Sequence, residues 1–160
     1  MNYSPIPLAI VVDANTAVRA VMPIKQEQEV AKFKEWHQNR ISLYAPDVYP
    51  AEITTAICKS IDYHLISPEE GTQIIKDLLT LDVQVIPSDL DLCLNALTWA
   101  ARLAQSKAYD GFYLALAERL SLEGTRRVEF WTADERLYNR ARQIGYPGIR
   151  WTGEDDLIGG

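Results

Sequence analysis

The sequence is poor in the residues that usually announce a chemistry. It has two cysteines, Cys58 and Cys93, in 160 residues. Their spacing fits neither a disulfide framework nor a zinc motif. Both fall inside apolar helical patterns, which predicts buried thiols in a reducing compartment. The two histidines, His37 and His64, are isolated, and no Ser/His/Asp set appears in a recognisable context. The apolar run near the start, "LAIVV" at Leu8–Val12, is far too short to cross a bilayer. No basic stretch precedes it and no small-residue cleavage site follows, so a soluble, cytoplasmic protein with no membrane partner is expected. Neither G-x-G-x-x-G nor G-x-x-x-x-G-K occurs, so nucleotide cofactors are not suggested. Internal repeats and low-complexity segments are also missing.

What remains is the composition of an ordinary globular protein with an acidic balance, net −6. A chain of this length buries about 70% of its unfolded surface, enough for a core without staples. Residues 1–152 read as a single domain and residues 153–160 as a short acidic tail. Overall acidity argues against a generic polyanion binder. The charge is uneven, however. Residues 1–101 carry 7 basic and 13 acidic side chains, whereas residues 102–150 carry 9 and 6. That local excess of +3 suits a nucleic-acid channel and suits ordinary solvated helix faces equally.

Strand and helix signals alternate along the chain. Leu8–Val12 is a continuous, β-branched apolar run of the kind found in buried parallel strands. Further strands are expected at Ile41–Tyr44, Val83–Ile86, Val128–Thr132 and Gly148–Trp151. Helices are expected from Asn15 to near Pro23, over Gln26–Asn39, Pro50–Tyr63, Ser88–Ala104, Asp110–Leu122 and Asp134–Ile144. Another opens at Ser67, where "SPEE" has the form of a capping box. This alternation predicts an α/β fold, a parallel or mostly parallel sheet with helices on both faces. Trp99 and Trp131 read as core residues.

In such a sheet, ligands bind beyond the carboxyl ends of the strands. Asp13 ends the first strand, in "VVDAN", and Asp134 follows the fourth, in "FWTAD". Glu52 and Asp110 lie at helix starts that face the same edge. Each also reads as a cap or first-turn acid favoured by the helix dipole. Asp13 is the hardest to dismiss, because an acid abutting a buried strand must find partners or stay hydrated. Four converging acids repel one another unless a divalent cation intervenes, and hard oxygen ligands suit Mg²⁺ or Mn²⁺. Asn15, Thr132 and Tyr109 are candidates to support them from behind. Asp110 is expected to cap its helix. Gly111, awkward in a first turn, is expected to allow a close approach by backbone or solvent.

The set "VVDANTAV", "YPAEITTAI", "AYDGFYLALAERL" and "FWTADERLYNRAR" resembles the PIN domain, and most of all the VapC-type toxins of VapBC toxin–antitoxin pairs. The resemblance covers nearly the whole chain. It implies a PIN-like three-layer αβα sandwich and a metal-dependent ribonuclease. It also implies that Asp13, Glu52, Asp110 and Asp134 are the acidic quartet that holds Mg²⁺ or Mn²⁺ and acts in catalysis. Two departures stand out: Thr55 where the family often has asparagine, and Gly111 where alanine is more usual. Neither removes a carboxylate.

A metal-dependent endoribonuclease, the toxin of such a pair, is therefore the first reading. A non-catalytic binding module on a PIN scaffold is the alternative. A phospho-accepting domain with Asp13 as acceptor is less favoured, since "DAN" lacks the second acid of dehalogenase-type phosphatases and no lysine follows the late strand. RNA is expected to reach the acids over Lys107, Arg119, Arg136 and Arg140. A cognate antitoxin is expected in an apolar groove between the helices at 50–63 and 67–79, and self-association, as a homodimer, is expected as well.

Overall fold

In a computed structural model, residues 8–23, 26–124 and 126–154 are described. The acidic tail from residue 155 lies outside them. Five strands form one sheet in the order β3-β2-β1-β4-β5, every pairing parallel. Strand β1 (Leu8–Val12) is central, flanked by β2 (Ser42–Pro46) and β4 (Arg127–Thr132), with β3 (Val83–Ile86) and β5 (Ile149–Trp151) at the edges. The expected sheet is thus present and wholly parallel. Ile10, Val11 and Val12 are fully buried, as a central parallel strand requires.

Helices α1 (Ala14–Val21), α2 (Glu27–Gln38), α3 (Tyr49–Asp62) and α4 (Pro68–Leu78) precede β3. Helices α5 (Leu90–Arg102), α6 (Tyr109–Glu123) and α7 (Glu135–Gln143) follow it. Together with the sheet they make the three-layer α/β sandwich. Helix α6 packs on β1, β2 and β4, and α5 packs along α6. Residues 113–117 of α6 are all buried, so it has no wet face over that stretch. Trp131 packs edge-on to Trp36 with ring centroids 5.6 Å apart, and Trp99 packs against Tyr146 at 4.8 Å. Both tryptophans are core, as the sequence suggests.

Several local expectations need correction. Cys58 and Cys93 are exposed and unpaired. Each lies one position past the buried stripe of its helix, Tyr49–Ile53–Ile57 in α3 and Leu92–Ala96–Trp99 in α5. Helix α5 starts one residue later than expected: Asp89, not Ser88, is its N-cap and accepts from the Leu92 N–H at 2.8 Å. Ser88 instead donates its hydroxyl and its N–H to Asp47. The capping box at Ser67–Glu70 is present as predicted. Helices α3 and α4 pack against each other at Gly71, where a Cβ would stand 2.8 Å from Ile61 Cδ1. Ile57, Ile66, Ile74 and Leu78 at this seam are buried in the core, while Leu65 is exposed.

Asp110 does not cap α6. The helix begins at Tyr109 with Ala108 as N-cap, and no side chain caps it. Asp110 stands inside the first turn, where its carboxylate is free to face elsewhere. Gly111 has a backbone reason: a Cβ there would fall on the Ala96 carbonyl oxygen of α5. Glycine lets α5 lie directly against the head of α6, next to Asp110. Gly111→Ala should therefore lower the unfolding free energy by about 1–3 kcal/mol through overpacking. Urea denaturation of the two proteins measures it, and an unchanged midpoint would show that α5 yields without cost.

Candidate active site

The strand order reverses direction between β1 and β4. Such a switch leaves a crevice at the carboxyl ends of the two strands, where open α/β sheets bind their ligands. Asp13 follows β1 and Asp134 follows β4, so these two acids flank the crevice. Helices α3 and α6 bring Glu52 and Asp110 to the same edge, each in the first turn of its helix.

Asp13 is the most constrained of the four. It caps α1, its Oδ1 accepting from the Thr16 N–H at 2.9 Å and the Thr16 hydroxyl at 2.6 Å. Its Oδ2 accepts from the Thr132 hydroxyl at 2.5 Å. That hydroxyl in turn accepts from the Asp134 N–H at 3.0 Å. Thr132 thus joins the two strand-end acids, the supporting place expected of it. Asp134 caps α7, taking the Arg136 and Leu137 N–H groups at 2.9 and 3.3 Å on Oδ1. Asn15 is exposed beside this edge, and Tyr109 stands half exposed at the start of α6.

The four carboxyls feel one another. Burial raises Asp13 from the ordinary 3.8 to about 6, against the pull of its three hydrogen bonds, and Asp110 adds to the rise. Burial likewise raises Glu52 to about 7, against the pull of the neighbouring Tyr113 hydroxyl, with Asp110 and Asp13 adding to the rise. Asp110 is also pushed up by burial and by Asp134, while the Gln105 side chain works the other way. Each acid is therefore electrostatically coupled to at least one other, and Asp13, Glu52 and Asp110 to one another. Among the described residues, no three carboxylates are drawn in tightly enough to encircle a metal ion as they stand.

The donor set nevertheless fits a hard divalent cation in kind. All four groups offer carboxylate oxygens, and Glu52 Oε1 is buried with no hydrogen-bond partner. Asp13 Oδ2 carries a single hydrogen bond and keeps acceptor capacity. Mutual repulsion of such groups is relieved by a bound cation.

A polar cleft of about 590 Å³ opens beside the acids, lined by Asn15, Arg19, Glu29, Asp134, Arg136 and Trp151 among others. Two of its residues were not singled out by sequence. Arg19 is on the outer side of α1, and Glu29 is buried in the first turn of α2, accepting from the Thr152 hydroxyl at 2.9 Å. A glutamate at the polar start of a helix carries no signal of burial, so neither was legible. Of the basic residues expected to face RNA, Arg136 lines this cleft. Arg119 does not: it is held by Asp89 in a two-pronged ion pair between α5 and α6. Lys107 and Arg140 are exposed.

A family model described as PIN domain matches residues 10–143. No curated protein matches the chain in sequence. Solved structures share its fold at low identity. FitAcB from Neisseria gonorrhoeae superposes with a TM-score of 0.59 at 17% identity, covering 83% of this chain and 93% of the other. VapBC2 of Rickettsia felis, bound to a DNA fragment from its promoter, gives 0.60 at 12% identity over 89% and 98%. The sarcin-ricin-loop-cleaving toxin VapC20 of Mycobacterium tuberculosis gives 0.60 at 14% identity over 89% and 99%.

The raised carboxyls have a consequence for stability. A group that binds its proton more tightly when folded stabilises the fold below its unfolded pKa, and the contribution is lost as pH rises through the folded value. Asp13 and Glu52 should therefore make the metal-free protein less stable from about pH 4 to about pH 7. Asp13→Asn should flatten that slope. Urea midpoints taken across the range test this; a midpoint that rises with pH in wild type would contradict it.

Proposed function

Because the chain belongs to the PIN domain family, we propose that it is a divalent-metal-dependent endoribonuclease, the toxin of a toxin–antitoxin pair. The observation that carries the reading is the coupled set Asp13, Glu52, Asp110 and Asp134 at the switch point, with an unpartnered Glu52 oxygen among them. These four residues would hold Mg²⁺ or Mn²⁺. Such a cation neutralises charge at a phosphodiester undergoing hydrolysis. Thr16 and Thr132 fix Asp13 by donating to it, and Thr132 ties it to the start of α7. Arg136 lines the adjoining cleft, where RNA phosphates would lie, while Arg19 there is paired with the buried Glu29 at 3.7 Å. The similarity to a toxin that cleaves the sarcin-ricin loop supports RNA as the substrate. A non-catalytic module would have little use for acids held at this energetic cost.

Asp110→Asn and Asp134→Asn should each lower the rate of RNA cleavage with Mn²⁺ by several powers of ten, since a hydrolytic metal site supplies several kcal/mol. EDTA should abolish it in wild type. Cleavage insensitive to EDTA, or retained in both variants, would remove the proposal. Transfer of a stable phosphate to Asp13 from acetyl phosphate would favour the phospho-acceptor instead.

We further propose two protein partners. Solved toxin–antitoxin complexes from Klebsiella pneumoniae and Salmonella typhimurium share the fold, and they support an antitoxin for this chain. Besides the α3–α4 seam, a second surface suited to it is a cleft of about 580 Å³ beside α2, walled by Val30, Phe33, Ile41 and Leu81 and rimmed by Lys34 and Arg40. An amphipathic segment with acidic residues would complement it.

The second partner is another copy. The outer face of α5 exposes Leu90 by 73%, Leu94 by 53% and Leu97 by 64%. These residues recur at the i, i+4, i+7 spacing of one helical stripe. An antiparallel two-fold pairing of α5 sets Leu94 on the second copy's Leu97 and brings the Asp91 end against the Arg102 end, so the surface is complementary to itself. Wild type should sediment as a dimer, and Leu94→Glu should shift it to monomer. A wild-type monomer in sedimentation would exclude this interface.

A further inference from the structure

Glu52 Oε1 is not the only orphan near the acids. The hydroxyls of Tyr49 and Tyr113 are also buried without a hydrogen-bond partner. The two tyrosines are placed alike. Tyr49 precedes Glu52 by three residues on α3, and Tyr113 follows Asp110 by three on α6. Residues three apart share a helix face. Each helix therefore presents one acid and one tyrosine, a turn apart, to the same crevice. The groups meet across it: Tyr113 is coupled to Glu52, Asp13 and Tyr49, and Tyr49 to Asp13. Tyr113 has little freedom to turn away. Its ring is stacked on Phe130 at 5.8 Å with the planes 13° apart, and the residue is 1% exposed. Its hydroxyl lies beside Glu52 but falls short of hydrogen-bond geometry.

Buried hydroxyls are normally paired, and two unpaired ones facing the same acids require an explanation. Packing alone would be satisfied by phenylalanine at both positions. We infer that Tyr113, assisted by Tyr49, is a positioning residue that donates a hydrogen bond to Glu52 once the carboxylates turn in to hold a divalent cation. The inference rests on the proposed reading of the four acids as a cation site. It adds a layer behind them, in which a rigid phenol orients a carboxylate as outer partners orient metal ligands. Tyr49 serves the Asp13 side of the crevice in the same way.

Phenylalanine removes only the hydroxyl, so the test separates positioning from packing. In the metal-free protein, Tyr113→Phe should leave the melting temperature unchanged or raise it, because an unpaired polar atom is lost. Its affinity for Mn²⁺, measured by calorimetry without RNA, should fall about 10–100-fold, the usual loss when an outer partner of a metal ligand is removed. Tyr49→Phe should show the same pattern to a smaller degree. Adding Mn²⁺ to wild type should also perturb the tyrosine ultraviolet spectrum, and that difference should shrink in Tyr113→Phe and vanish when both tyrosines are replaced. Unchanged Mn²⁺ affinity in Tyr113→Phe, beside a wild type that binds the ion, would overturn the tyrosine assignment alone. A lowered melting temperature with unchanged affinity would make the hydroxyl a packing feature and overturn it too. A wild type that takes up no Mn²⁺ would overturn the metal reading and this inference with it.

Discussion

The cost of burying a carboxyl at the end of β1 governs much of what surrounds it. Asp13 is nearly inaccessible, and left without partners a charge there would be untenable. Three donors answer that cost, two from Thr16 and one from Thr132, and both threonines are fully buried. The solution ties together three pieces of chain. Thr16 binds the start of α1, Thr132 the end of β4, and the Asp134 N–H on Thr132 the start of α7. The central strand, its neighbour across the switch and the two following helices are thereby set in one relative position.

That arrangement works against the fold as much as for it. Three hydrogen bonds do not offset the burial, since the Asp13 carboxyl still stands about two units above its ordinary value. Nearby, Glu52 and Asp110 are raised as well, and Glu52 keeps an unpaired oxygen. A sequence selected for stability alone would not gather these groups where each raises another's energy. Rules of local consistency fail here and are obeyed at other places: Asp89 and Ser67 cap their helices, and the stripe Gly71–Ile74–Leu78 of α4 faces inward. Places where a protein departs from its own regularities are where function is to be sought.

The legible part of the sequence is the part set by short-range patterns. The run "LAIVV" showed a buried central strand because a parallel strand is apolar on both faces. "SPEE" showed a capping box because its chemistry is complete within four residues. All four acids could be placed on one edge, since in an alternating α/β chain strand ends and following helix starts share that edge. What escaped was set by neighbours distant in sequence. Gly111 had no reason in its own helix; the reason is a carbonyl of α5. Arg119 was taken for a free cation because Asp89, thirty residues away, gives no sign of pairing with it. Cys58 and Cys93 looked buried because each follows a core residue directly, and one step along a helix turns the side chain about 100° away from the stripe. Tyr49 and Tyr113 read as plain core, and only the geometry shows two phenols without partners facing the acids.

The net charge of −6 opposes broad affinity for RNA, but the site itself resolves part of the conflict. With Asp13 near 6 and Glu52 near 7, the bare crevice holds some of its carboxyls protonated around neutrality. It is then less repulsive to phosphate than four full charges would be. A divalent cation would displace those protons and bring two positive charges into the crevice, beside Arg136 in the adjoining cleft. The attraction for a polyanion would then be short in range and confined to one edge, since screening removes the influence of distant surface acids beyond about 8–10 Å. On the proposed reading, RNA would be selected by close contacts at this edge, and a cation in the acidic crevice would be the condition for its approach.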